Sequence, residues 1–190
     1  MALRDAVMAA LLEGEASGYD LAKAFEASVA NFWMATPQQI YRELERMESV
    51  GLVAARLVEQ ERRPNKRLFS LTPAGLAAVR DHLTARPSKP LALRDELLVK
   101  VQCLDVGDAQ ALDAVRAEIE ERLARSAARL ARYERLRERL LDGRTEDEFW
   151  AGAERVGPYL TLQAGLALER ANVSWAEAAL ARLKQRAGNR

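Results

Sequence analysis

The sequence predicts a mainly α-helical protein with one small β hairpin in its first half and only helices in its second. Three observations predict this. A polar segment, Thr36–Met47, carries apolar Ile40, Leu44 and Met47 at helical spacing. Two strand-like runs, Leu52–Val58 and Arg67–Thr72, follow it and flank a basic connection. Beyond Pro87 and Pro90 every periodic stretch is helical.

The elements follow in order. Leu3–Leu12 places Leu3, Val7, Ala10 and Leu11 on one side and ends at Glu13-Gly14-Glu15. Ser17 can cap a second helix, Gly18–Ser28, with an inner stripe of Leu21, Ala24 and Phe25. Thr36 is a good N-cap for the third helix, and Pro37 suits its first position, where a missing N–H costs nothing. Gly51 can close that helix in a left-handed conformation. The two strands come next, and Thr72-Pro73 opens a helix over Ala74–Thr84. Helix, helix, helix, strand, strand, helix is the order of a winged helix-turn-helix, with the hairpin as a two-stranded wing.

That order gives the third helix a function. The first turns of such a helix enter the major groove of DNA. Here they present Gln38, Gln39, Tyr41 and Arg42 away from the apolar stripe. Gln can pair with adenine, Arg with guanine, and a Tyr hydroxyl can hold a phosphate. The hairpin holds four cations, Arg62, Arg63, Lys66 and Arg67, which can neutralise backbone phosphates. By itself the helix reads equally well as an ordinary amphipathic surface helix; the basic hairpin beside it favours DNA.

The residues also resemble a known family. Ser17-Gly18-Tyr19-Asp20-Leu21, Phe32-Trp33, Gln39-Ile40-Tyr41-Arg42-Glu43-Leu44, Gly51-Leu52-Val53 and Leu71-Thr72-Pro73-Ala74-Gly75 are similar, in order and spacing, to the PadR family of bacterial transcriptional regulators. Leu93–Lys100 is similar to a segment joining the two halves of its longer members. The resemblance implies a homodimeric, mostly repressing regulator of double-stranded DNA, often released from its operator by a small molecule. Tyr19 and Thr36 are also candidate DNA-contacting residues. The resemblance implies an α-helical dimerisation domain in the second half.

Composition sets limits. With 190 residues, one domain or two small ones are expected. We place a winged-helix domain at residues 1–87 and a helical domain at 88–190. The net charge is +1, and cationic and acidic residues nearly cancel within 1–87, so attraction to DNA must come from local clusters. A single cysteine, Cys103, excludes an intrachain disulfide; its neighbours Val99, Val101 and Leu104 predict a buried side chain. No secretory signal or membrane-length apolar run is present, which predicts a cytoplasmic protein with no membrane partner. Nothing calls for a cofactor or metal.

Four helices are expected in the second half: Ala92–Leu104, Ala109–Leu141, Glu146–Arg170 and Ser174–Ala187. The long second one carries an interrupted stripe of Leu112, Ile119, Leu123, Leu130, Tyr133, Leu136 and Leu140. The last two helices can cover part of it; the remainder predicts a second protomer, with Ile119, Leu123, Leu130 and Tyr133 at the interface. Recognition helices would then lie roughly 34–36 Å apart on an inverted repeat.

Trp150 and Trp175 read as core residues. Trp33, just before the third helix, together with Leu97 and Val101, is the candidate contact for a small apolar or aromatic effector. An enzyme is the runner-up of another class, but the single histidine, His82, sits among polar residues, and no phosphate loop, nucleophile elbow or metal-ligand cluster is present. A helical adaptor with the same fold and no DNA binding is the third reading. What separates it is whether Arg62, Arg63, Lys66 and Arg67 share a side with Gln38 and Arg42.

Overall fold

The computed structural model describes residues 2–27, 33, 35–59, 65–85 and 94–188. The chain divides into two compact units, Met1–Lys89 and Pro90–Arg190.

The first unit comprises α1 (Ala2–Leu11), β1 (Ala16–Ser17), α2 (Gly18–Ala27), α3 (Pro37–Ser49), β2 (Val53–Val58), β3 (Lys66–Leu71) and α4 (Pro73–Leu83). The apolar stripes read from the sequence converge on one core. Val7, Met8 and Leu11 of α1, Leu21 and Phe25 of α2, and Ile40, Leu44 and Met47 of α3 pack with Val53 and Phe69 of the sheet. Burial of these side chains is the main force seating α3 on its neighbours.

Two joints orient α3 and the wing. Val50 caps α3, Gly51 is left-handed at φ +73°, the Gly51 N–H donates to Glu48 O (3.0 Å) and the Leu52 N–H to Met47 O (2.9 Å). This paired closure satisfies two orphan carbonyls and turns the chain directly into β2. The second joint is Thr72. Its N–H donates to Leu52 O (3.1 Å), its hydroxyl donates to Gly51 O (2.7 Å), and its Oγ1 accepts from Gly75 N (3.0 Å).

The sheet differs from expectation by one strand. β1, only two residues long, pairs antiparallel with β3 at Ala16–Phe69 and Ser17–Leu68, giving the order β1-β3-β2. Two residues are too short to show an alternating pattern, so the sequence showed only the hairpin.

The second unit comprises α5 (Glu96–Gln102), a 3-10 turn at Leu104–Val106, α6 (Ala109–Leu141), α7 (Glu146–Gly152) and α8 (Gly157–Gly188). The expected break near residue 172 does not exist: α8 runs through it. Asn172 is tolerated inside the helix, where its Nδ2 donates to Glu169 (3.5 Å). The break falls instead at Ala153–Val156, before Gly157-Pro158, where proline's missing N–H suits a first helical turn. Cys103 is exposed, a correction to its expected burial; it is the C-cap of α5, where side chains project outward.

α6 and α8 form an antiparallel hairpin. At one end Leu97, Val115, Ile119 and Ala176 pack together with Leu123, Trp175, Leu180 and Leu183 around them. At the other, Tyr133, Leu162 and Leu166 pack with Leu130, Leu136 and Leu140. Between the clusters Ser126 and Glu169 are buried, and Arg129 donates to Glu169 Oε1 (2.5 Å) and Oε2 (3.1 Å). Ile119 and Tyr133, expected to face a partner, are sealed within the chain by α8 at 0% and 1% exposure, and Leu123 and Leu130 are half-buried beside them. The stripe of α6 is therefore largely satisfied in cis.

Asp95 ties α5 to α6. Its carboxylate accepts from Arg122 Nη1 (2.6 Å) and Nη2 (2.7 Å) and from the Leu98 N–H (3.3 Å). Arg122, foremost, holds the Asp95 carboxyl below the ordinary aspartate value of 3.8. A carboxyl lowered in the fold stabilises it above the unfolded value and loses that contribution as pH falls through the folded one. We expect Asp95→Asn to lower Tm at neutral pH and to shallow the fall of Tm between about pH 5 and about pH 3, measured by circular dichroism. A variant whose acid-limb slope equals wild type would refute this linkage.

Candidate nucleic-acid interface

The first turns of α3 are outward-facing on a fixed base. Ile40 is wholly buried, whereas Gln38, Gln39, Tyr41 and Arg42 around it are exposed. Thr36 and Gln39 form a reciprocal cap: Gln39 N donates to Thr36 Oγ1 (3.2 Å), and the Thr36 N–H donates to Gln39 Oε1 (2.8 Å). Reading adenine bidentately requires both the carbonyl and the amino group of a glutamine. The Gln39 carbonyl already serves the helix end, a role that competes with the base reading expected of it.

α2 supplies the adjacent surface. The Tyr41 ring lies over Gly18, and a Cβ at Gly18 would stand 2.2 Å from Tyr41 Cε1. Only glycine lets the start of α2 and the start of α3 approach this closely. Tyr19, next in sequence, is 67% exposed. Asp20 completes the cap of α2: Ser17 Oγ accepts from Asp20 N (3.1 Å) and its hydroxyl donates to Asp20 Oδ2 (2.8 Å).

The wing cations diverge. Arg62 and Arg63 lie outside the described residues. Lys66 and Arg67 are neighbours on β3 and project from opposite faces of the sheet, as strand geometry requires. Lys66 Nζ pairs with Asp20 Oδ2 at 2.7 Å. Arg67 Nη2 grips both oxygens of Glu48, at the far end of α3, at 2.8 and 2.6 Å, and its guanidinium sits 5.1 Å from the Phe69 ring centre. Lys66 thus lies on the side of Gly18-Tyr19-Asp20 and Tyr41, and Arg67 does not. Lys66, foremost, and Ser17 hold the Asp20 carboxyl below its ordinary value. The sequence reading counted cations without their carboxylate partners. Strand alternation would have separated Lys66 from Arg67, but no local signal pointed to Asp20 or Glu48.

The remaining candidates are scattered. Trp33 is half-buried against the core of the first unit. In the second unit Leu97 is buried and Val101 half-buried within one apolar cluster. Trp175 is half-buried there, 5.6 Å from the Arg122 guanidinium, whereas Trp150, expected in the core, is 38% exposed and meets Phe149 and Tyr159 edge-on. A cavity of about 440 Å³ in the second unit is lined by Leu97, one of the expected effector contacts, and otherwise by charged residues, Arg94, Asp95, Glu118, Arg122 and Arg125 among them, unlike the apolar wall expected for an effector. Among the described residues no group of His, Cys, Asp or Glu could hold a metal ion, and no helix is long and apolar enough to cross a membrane.

A three-helix core, a capped recognition helix and a wing define a DNA-binding winged helix. The chain belongs to the PadR family of transcriptional regulators. Residues 7–81 match the transcriptional regulator PadR-like family, and residues 93–184 match the virulence activator alpha C-terminal family. The chain is 31% identical over 188 residues to the probable transcriptional regulator Rv1176c of Mycobacterium tuberculosis, covering 92% of this chain and 94% of that one. It is 29% identical over 182 residues to the negative transcriptional regulator PadR of Bacillus subtilis, covering 94% and 96%. Its fold is similar to Bacillus subtilis PadR in complex with operator DNA (TM-score 0.74, 27% identity, 96% and 99% covered). It is likewise similar to the same protein with p-coumaric acid (TM-score 0.66, 26% identity, 97% and 99% covered).

Proposed function

We propose that this protein is a homodimeric repressor that reads an inverted-repeat operator through α3 and releases it on binding a small apolar or aromatic effector. The observation that carries the reading is the outward array of Gln38, Tyr41 and Arg42 on a helix locked from behind by Ile40, Leu44 and Met47. Similarity to a negative regulator with operator-bound and p-coumarate-bound structures supports repression and effector release. Gln38 and Arg42 are the base readers in this proposal. Tyr19, Thr36, Tyr41, Lys66 and the wing tip at Arg62 and Arg63 are backbone contacts.

The dimer surface moves from α6 to α8. Leu160, Ala164, Ala167, Ala171, Ala178 and Ala181 recur at heptad spacing and are all exposed. Such a stripe suits a second helix at close range. Leu97 and Val101, which share one apolar cluster of the second unit, remain proposed effector contacts, and Trp33 is a separate candidate in the first unit. A tenfold release of DNA needs about 1.4 kcal/mol of coupling, felt equally by the effector when DNA is bound.

Selection of bound fragments from the host genome tests the proposal. A single inverted-repeat motif, bound by a protein of dimeric mass in light scattering, is the expected result. Arg42→Ala should then cost about 1–3 kcal/mol on that motif and little on random DNA. A monomer, or equal losses on both DNAs, would overturn the dimer or the base-reading role in turn.

A further inference from the structure

We propose that Asp20 is an intramolecular stand-in for DNA phosphate, holding Lys66 in the free protein so that binding exchanges a carboxylate for a phosphate at that cation. This rests on the DNA-binding reading. Three observations carry it. Lys66, the described wing cation on the groove side, is in an ion pair with the carboxylate of Asp20 on α2, at 2.7 Å. The pair is not buried: Lys66 is 38% and Asp20 46% exposed, so a phosphate can reach the cation and the pair can open at small cost. Asp20 also lies two residues from Gly18, on which Tyr41 rests, so Lys66 is parked beside the outward face of α3 rather than away from it.

The consequence is a tax on affinity that does not depend on sequence. Phosphate contacts supply the bulk of binding to random DNA. A cation already partnered must leave one anion to join another, so its net gain is smaller. The protein has a net charge of only +1, its cations nearly cancelled by carboxylates, so no overall basic field adds to this term. The Asp20 carboxylate weakens that term further and leaves base contacts a larger share of the discrimination.

The test uses the full-length protein, an end-labelled random-sequence duplex, and fluorescence anisotropy across a salt series. Asp20→Asn keeps an oxygen to accept from the Ser17 hydroxyl and removes the charge. It should bind about two- to fivefold tighter than wild type, the range of one exposed ion pair. Its log-affinity against log-salt slope should steepen by up to roughly one unit, because salt no longer also loosens the competing pair. Glu48→Gln removes a charge from the Arg67 pair, which lies off that side, and should leave affinity unchanged; Asp20→Ser is the second variant if Asp20→Asn lowers the melting temperature. In a Lys66→Met background Asp20→Asn should change nothing. Equal tightening in both backgrounds would make Asp20 a general repulsive charge and overturn the inference, as would unchanged affinity of both Asp20 variants. Wild type that shows no salt-dependent DNA binding at all would overturn the DNA-binding reading itself.

Discussion

Gly75→Ala is expected to destabilise the first unit, although alanine is ordinarily the better residue in a helix. Gly75 is the third residue of α4. A Cβ there would stand 2.1 Å from the carbonyl oxygen of Leu52 and 3.1 Å from Leu71 Cδ2. That oxygen accepts from the Thr72 N–H and belongs to the joint that fixes the wing against α3, so it cannot retreat without breaking the joint. Forced overpacking of this kind costs about 1–3 kcal/mol, more than the roughly 1 kcal/mol of helix propensity gained. For a chain of this length each kcal/mol lowers Tm by roughly 2–4 °C. Gly152→Ala is the control: it ends α7 with nothing within 4 Å of the added Cβ. Calorimetry should show a lower Tm for the first variant and none for the second. Equal melting temperatures would mean that the Leu52 carbonyl can yield.

The larger effect is expected in the helical hairpin. Glu169 is 5% exposed and held by Arg129, with Ser126 Oγ 3.4 Å from Arg129 Nη2. Removing one member of a buried ion pair strands the other charge and costs about 3–5 kcal/mol. Arg129 is itself 43% exposed, so Arg129→Leu should fall at the lower end of that range. The double variant Arg129→Leu/Glu169→Leu has no stranded charge and joins the two apolar clusters into one core. It should recover wild-type stability or exceed it by about 1–4 kcal/mol. Urea denaturation of the three proteins measures the coupling. Additive losses in the double variant would show that the pair does not act as a unit. Retaining a polar layer at this point is consistent with a role in fixing the register of α8 on α6, since a slip by one turn would bury Glu169 against leucine.

The sequence made the first unit legible because its punctuation is local. Thr36-Pro37, Gly51 and Thr72-Pro73 each act within a few residues, and the structure uses all of them at the expected ends of α3, β2 and α4. The same holds for α6, whose bounds at Ala109 and Leu141 follow from Asp108 and the Asp142-Gly143 turn. What stayed hidden is non-local. β1 exists only because β3 lies beside it. Lys66 and Arg67 find Asp20 and Glu48 across 46 and 19 positions, distances at which sequence carries no pairing signal. The cis burial of Ile119 and Tyr133 depended on reading α8 as one helix, and the misplaced break near residue 172 removed the element long enough to cover them.

The two-residue strand β1 has a mechanical consequence. It braces β3 at Leu68 and Phe69 and stops there, so Lys66 and Arg67 belong to a ribbon of two strands while Leu68 and Phe69 belong to a sheet of three. Two-stranded ribbons are marginal by themselves, and local opening is easiest where fewest partners must be given up. Stiffness therefore changes along a single strand, from an anchored root to a compliant arm. Such an arm can follow the contour of a duplex once its ion pairs to α2 and α3 have opened.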